Sequence, residues 1–325
     1  MRATLPIPEQ PGFKTRLPAA VALASGTQTQ ASSTNLSLTR NGLTISVQID
    51  AAARAALLSR LSAAGPGMAT DRLSATWRQL LERLANAGML VSAQPCVASG
   101  PIPAVDALSA VHDAIYDETL LALGAEHVLN RMITGSLAAN AGKAWLVENY
   151  YYTKSAAYHI APVLGHEMEI NERNLWSRFL KDESWHWRIY RPALTQFGLS
   201  FSSLDQGEPH RATQRFVNVL RDAALAGPTV YAAVMIFIEK PPLDDLESDQ
   251  LFGSLLRHYG FTADGIKPLW WHATENLKAG HSDLGAAVIT NRGALGRGEV
   301  DGMVSAARTI VREVSKWNTE ILGAY

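Results

Sequence analysis

Cysteine is almost absent from this chain: Cys96 is the only one in 325 residues. An internal disulfide is therefore excluded, which suits a reducing compartment, and a cytoplasmic location is the expectation. Charge imbalance is also absent. The formal net charge is -1, so neither a basic nucleic-acid surface nor an acidic solvating tail is expected, and nucleic acid is no expected partner. Long apolar runs are missing too. The stretch Thr229–Ile238 comes nearest, at about ten residues, before Glu239 and Lys240 end it. It reads as a buried core helix, and a membrane is no expected partner. The first residues carry prolines and a polar segment that make a poor signal peptide. There is no Gly-x-Ser-x-Gly or Walker-type loop, and Cys96 lies in a proline-rich stretch unsuited to a nucleophile.

What the chain does have is an ordinary globular balance, 47% hydrophobic and 18% charged, over a length that exceeds one average domain. Residues 1–35 are rich in Pro, Ser, Thr and Gln without a period, which predicts a flexible arm. From Leu36 to Ile49 apolar and polar residues alternate around Asn41-Gly42, which predicts a hairpin. Asp50 caps a helix over about 51–63, and Leu73, Trp77, Leu80, Leu81 and Leu84 keep a helical period over about 73–88. Gly88 ends that helix, and Leu90-Val91 begins a short strand. Residues 36–95 thus form a small α+β module. Its Trp77–Val91 segment resembles the peptide-recognition domains related to the pyrroloquinoline-quinone chaperone, a pattern that winged-helix proteins share. The simpler reading is an attachment packed on the main domain.

The segment from Pro95 to Pro103, with three prolines and a glycine, is the linker. Beyond it helices are expected at about 104–122, 125–134, 138–164, 168–197, 210–225, 228–239, 246–258, 262–289 and 299–321, an all-α bundle over 104–325.

Three constellations in the bundle can carry chemistry. The first is Trp145-Leu-Val-Glu148-Asn-Tyr-Tyr151-Tyr152, followed eleven residues after Glu148 by His159; on one helix these two share a face. The second is Phe179-Leu-Lys-Asp-Glu183-Ser-Trp185-His186. Glu at i and His at i+3 project together, and hard carboxylate oxygen with imidazole nitrogen suits Fe(II) or Mn(II). The third is His272, Glu275, Asn276, His281 and Asp283. Glu239 adds a carboxylate at the end of an apolar helix, where a charge needs a partner or water. His166, Glu167, Glu169 and Glu172 read as a solvated face, and His210 and His258 as ordinary surface or loop residues.

The segment from Glu126-His127 through Gly135 to Trp145 and Glu148-Asn-Tyr-Tyr-Tyr resembles the opening of pyrroloquinoline-quinone synthase and the thiaminase-like proteins, which share the haem-oxygenase-like fold. The later Glu-x-x-His and His…Glu-Asn…Gly-His segments look more like the iron-dependent di-iron oxidase and oxygenase branch of that superfamily. The resemblance covers about 104–320 and implies ligands on three core helices. That family's third helix carries a His, an acid four residues on, and another His. Here Glu275 follows His272 by three, Asn276 holds the fourth place, and His281 follows by nine. Nine residues rotate about 900°, so His272 and His281 face opposite sides of an ideal helix, and a distortion near Gly280 is expected.

The resemblance implies a metal set of Glu148, Glu183, His186, Glu239, His272, Glu275 and His281, with Glu148, Glu183 and His186 central to catalysis. It implies two Fe(II) per chain and O₂ as co-substrate, in an oxidase or oxygenase acting on an amino-acid-like small molecule or peptide-borne residue in specialised metabolism. N-oxygenation, desaturation or carbon–carbon cleavage would be the outcome. Trp145, Tyr151, Tyr152, His159, Phe179 and Trp185 are expected to wall the substrate pocket. A carrier or leader peptide at the N-terminal module and a homodimer are the expected partners. The alternatives are a metal-free enzyme of the same fold, quinone-synthase-like or thiaminase-like, and a non-catalytic helical binding protein.

Overall fold

A computed structural model gives the architecture. It describes residues 15–32, 34–62, 67–71, 73–93, 100–124, 126–239, 245–279 and 281–323, and the side chains among these apart from 245–248, 274–279 and 281–282.

The N-terminal part interleaves β1 (Ala20–Leu23), β2 (Gln28–Ala31), β3 (Asn35–Arg40), β4 (Leu43–Gln48), α1 (Ala51–Leu61), β5 (Met68–Ala69), α2 (Ala75–Asn86) and β6 (Leu90–Ser92). The hairpin forms where the alternation places it. β3 and β4 pair antiparallel through Arg40↔Leu43, and Asn41 and Gly42 take the positive φ of 53° and 75° that a tight primed turn needs. Asp50 and Ser74 cap α1 and α2 through their side-chain oxygens. Within the span expected to be a flexible arm, Ala20–Leu23 and Gln28–Ala31 are strands instead. β1 lies between β5 and β6, and β2 pairs with β3. Val21 is buried completely, in a cluster with Leu36, Leu57, Leu81 and Met89, and that burial is what holds the segment. Residues 1–14 of the arm and 94–99 of the linker lie outside the described residues.

From β7 (Ile102–Pro103) onward the chain is helical: α3 (Ala104–Ala122), α4 (Val128–Ile133), α5 (Ala141–Lys154), α6 (Ala156–Ile160), α7 (Ile170–His186), α8 (Arg191–Gln196), α9 (Phe201–Asp205) and α10 (Arg211–Ala226). α11 (Pro228–Ile238), α12 (Asp245–His258), α13 (Ala263–Ala279), α14 (His281–Asn291), the short strand β8 (Ala294–Leu295) and α15 (Arg297–Leu322) complete it. Two helices expected to be long are broken. The 138–164 span bends at Ser155 and ends in a 3₁₀ turn at Ala161–Gly165 containing Pro162; the 168–197 span passes through a 3₁₀ turn at Trp187–Tyr190 before Pro192 starts α8. The 262–289 span is covered by α13 and α14, and Gly280 between them, where a distortion was expected, lies outside the described residues.

α11 is the axis of the bundle. It is apolar on every side and packs against α10, α14 and α15, as an all-round hydrophobic helix must. Gly285 allows α14 to approach: a Cβ there would lie 2.3 Å from the Ala232 carbonyl oxygen of α11. α3 lies along α15, where Arg312 grips the buried Glu118 with two bonds of 2.7 Å. β7 pairs with β8 through Ile102↔Leu295, tying the entrance of α3 to that of α15.

Candidate active site

The end of α7 and the end of α11 bring two carboxyl groups together inside the bundle. Glu183 accepts or shares a proton with His186 three residues on, Oε2 to Nδ1 at 2.7 Å, as the common helix face requires. Both side chains are largely buried, at 12% and 21% exposed. Burial, with the Asp182 charge behind it, pushes the Glu183 carboxyl up to about 8. Burial lowers His186, against the opposing pull of Asp182. Both shifts favour the neutral forms, a carboxylic acid beside an uncharged imidazole. Glu239, the residue after α11, is pushed well above the carboxylate range by burial and by Glu183. From α13, His272 sets its ring against that of His186, centroids 4.2 Å apart at 61°.

Four residues picked out in the sequence, Glu183, His186, Glu239 and His272, thus share one neighbourhood. Tyr152, Tyr190 and Tyr231 surround it. Burial and the nearby Glu239 and Glu183 charges push Tyr152 well above its usual range. Tyr231 is raised in the same way by burial and by Tyr152, Glu239 and Glu183. Tyr190 is pushed up to about 12 by burial, with the Glu183 charge adding to it. Tyr231 and Tyr190 are not among the residues the sequence pointed to. The signal for Tyr231 was present, because a phenol inside the apolar run of α11 needs a polar partner. That partner is His159, whose Nδ1 lies 2.7 Å from the Tyr231 hydroxyl.

The other candidates are placed differently. Glu148 and His159 share no helix face, because the chain bends at Ser155 between them. Glu148 instead accepts the hydroxyl of Thr213 at 2.5 Å and the backbone N–H of His210 at 3.0 Å, at the start of α10. This is a helix-terminal role, satisfying donors that have no intrahelical acceptor. His159 is buried, stacked at 4° on Tyr152, and its burial holds its pKa down to about 3. Phe179 packs edge-on to Trp176 in the core. Trp145 and Tyr151 pack partly buried against the same core, and the Tyr151 hydroxyl donates to the Leu204 carbonyl. Trp185 is 53% exposed and lies under the Arg188 guanidinium at 3.8 Å, so it is no pocket wall; one residue before His186, it points about 100° away around the helix. Glu172, expected on a solvated face, is buried and bonded to Arg292 at 2.8 Å. The side chains of Glu275 and His281 lie outside the described residues.

Among the described residues no group of three or more His, Cys, Asp or Glu side chains is arranged to hold a metal ion. The donor types nonetheless fit one. Two buried carboxyls, both raised by burial and Glu239 also by Glu183, and two adjoining imidazoles are donors that a divalent cation would neutralise. Without such a cation the same set offers a carboxyl–imidazole pair for proton transfer.

No family model matches the chain, and no curated protein does. Solved structures are similar to it. A domain of unknown function with a haem-oxygenase-like fold from Shewanella denitrificans matches at TM-score 0.53 and 14% identity, over 67% of this chain and 90% of that one. A TenA homologue from Pseudomonas syringae pv. tomato matches at TM-score 0.53 and 11% identity, over 71% and 97%. At that identity the likeness speaks for the fold alone, and with the helix order above it makes the helical part an all-α bundle of haem-oxygenase-like fold, beside the small α+β N-terminal part.

Proposed function

We propose that the chain is a non-haem iron enzyme that uses O₂, with Glu183, His186, Glu239 and His272 as the described part of its metal platform. The observation that carries this reading is a pair of buried carboxyls, Glu183 raised by burial and by Asp182, and Glu239 raised by burial and by Glu183, beside the touching rings of His186 and His272. Bound Fe(II) supplies electrons to O₂ and open positions for O₂ and substrate. The chain's own residues do the rest. Glu183, as a carboxylate, and His186, as a neutral imidazole, would hold the metal, so binding would be coupled to release of the Glu183 proton. Tyr152, Tyr190 and Tyr231 keep the carboxyls away from bulk water. Glu275 of α13 and His281 of α14 are proposed to complete the set for a second iron. The substrate we propose is an amino-acid-like molecule or a peptide-borne residue. Support for the peptide comes from β2, an edge strand of β2-β3-β4 with all four residues exposed, which offers pairing to an extended chain.

Anaerobic Fe(II) titration with metal analysis tests this reading, and retention of less than about 0.3 iron per chain in tight-binding conditions sinks it. A second reading is favoured by the Glu183–His186 hydrogen bond itself: a metal-free enzyme of this fold using that pair as general acid and base. Activity that survives exhaustive chelation but not His186→Gln selects this second reading.

A further inference from the structure

The aromatic rings around the carboxyl pair continue outward to a surface cleft. His159 is stacked on Tyr152 with centroids 6.0 Å apart, and Tyr152 lies 5.7 Å from Trp317 of α15. The Trp317 indole N–H donates to Thr213 at 2.8 Å, and the Thr213 hydroxyl donates to Glu148 at 2.5 Å. Thr213 also lines a cleft of about 290 Å³ with Tyr151, Ser155, Tyr158, Gln214 and Asn218. Trp317 and Thr213 are themselves buried, at 5% and 1% exposed. The two hydrogen bonds from Trp317 to Thr213 and from Thr213 to Glu148 run from donor to acceptor in one direction, toward the half-buried Glu148.

We propose that Tyr231, His159, Tyr152, Trp317, Thr213 and Glu148 form an electron and proton exit from the buried site to the cleft. The proposal rests on the iron reading for its oxidant, an oxidised iron centre left without substrate. Tyr231 gives that centre one electron and passes its phenolic proton to His159 Nδ1. Trp317 then gives one electron to Tyr231 through the Tyr152 ring, and the proton returns from His159. The indole proton of Trp317 moves to Thr213 as the Thr213 hydroxyl proton moves to Glu148. A one-electron reductant of the thiol or ascorbate class, entering the cleft, restores Trp317, and Glu148 returns the proton. A buried His159 that stays neutral is a fitting temporary base, since it returns the proton readily.

The test runs the line inward without metal, so its failure is separate from a failure to bind iron. In a full-length Cys96→Ser, Tyr158→Phe, Asn218→Cys background, a ruthenium photo-oxidant is attached at the cleft. Flash oxidation is expected to give a tryptophan radical that decays into a tyrosyl radical, read by electron paramagnetic resonance and transient absorption. Tyr231→Phe, which keeps the ring, should lose the tyrosyl signal while retaining the tryptophan one. Trp317→Phe should lose both. Thr213→Val, near-isosteric, should leave a tryptophan cation radical in place of the neutral one. A tyrosyl signal at full yield in Tyr231→Phe or Trp317→Phe overturns the proposal, as does a tryptophan radical that never passes to tyrosine in the background protein.

Discussion

His159 is a buried imidazole held neutral, with its pKa down at about 3 against an unfolded value of 6.5. The unfolded chain therefore binds a proton that the folded chain refuses. Its contribution is complete above pH 6.5 and is lost as the pH falls toward 3. The slope is about 1.4 kcal/mol per pH unit, and the total is roughly 4–5 kcal/mol. Urea titrations between pH 7 and 4 should show this slope in the native protein and its disappearance in His159→Phe; an unchanged slope would falsify the assignment. Glu148 carries a different expectation. Because its carboxylate satisfies Thr213 and the His210 N–H, Glu148→Gln should cost about 1 kcal/mol of stability. It should leave Fe(II) affinity unchanged, and a large loss of affinity would return Glu148 to the metal set.

At the scale of elements, the meeting of α7, α11 and α13 sets a pH dependence for metal binding. Glu183 is pushed up to about 8 by burial and by Asp182, and Glu239 is raised well above the carboxylate range by burial and by Glu183. A raised carboxyl stabilises the metal-free fold most below its unfolded pKa, and that contribution is lost as pH rises through 8. Metal binding runs the other way: it should release about one to two protons and tighten from pH 6 to 8. Calorimetric titration in two buffers of different ionisation enthalpy measures the release. The α11–α14 crossing gives a mechanical counterpart. Gly285→Ala places a methyl group against the Ala232 carbonyl and should cost about 1–3 kcal/mol, read as a lowered melting temperature. Much of this was legible in the sequence. The apolar run of α11 announced a buried axis, Asn41-Gly42 announced the hairpin, and Glu183 with His186 needed only the helical period. Thr213 as the partner of Glu148, 65 residues away, was not legible, nor was the pairing of Tyr231 with His159, 72 residues away. Local periodicity fixes which residues share a face of one helix, not which distant face packs against it.

On the scale of the whole molecule, the N-terminal part is fastened to the bundle by buried polar contacts. Arg40, 6% exposed, donates to the carbonyls of Ser25 and Gly88 and to Asp113 of α3. His112 of α3 reaches the Asn86 carbonyl at 2.9 Å and fills the space that a side chain at Gly88 would need. Arg40→Ala leaves those acceptors without their cation and should cost about 2–3 kcal/mol. If the two parts act as one body, calorimetry of that variant should split a single thermal transition into two. A single transition at unchanged temperature would show that Arg40 does not couple them.

The packing of α3 on α15 also constrains how the chain is made. Leu108 and Val111 are completely buried in the bundle core, and Arg312 of the last helix covers Glu118. On the ribosome α3 emerges early, but its cover, beginning at Arg297, comes only after most of the bundle has been translated. At ordinary elongation speeds that is a wait of roughly 10–35 s with a greasy helix face uncovered. The nascent protein is therefore expected to depend on a holding chaperone until its final turns are translated, and a stop codon before Arg297 should yield aggregate rather than a smaller folded product.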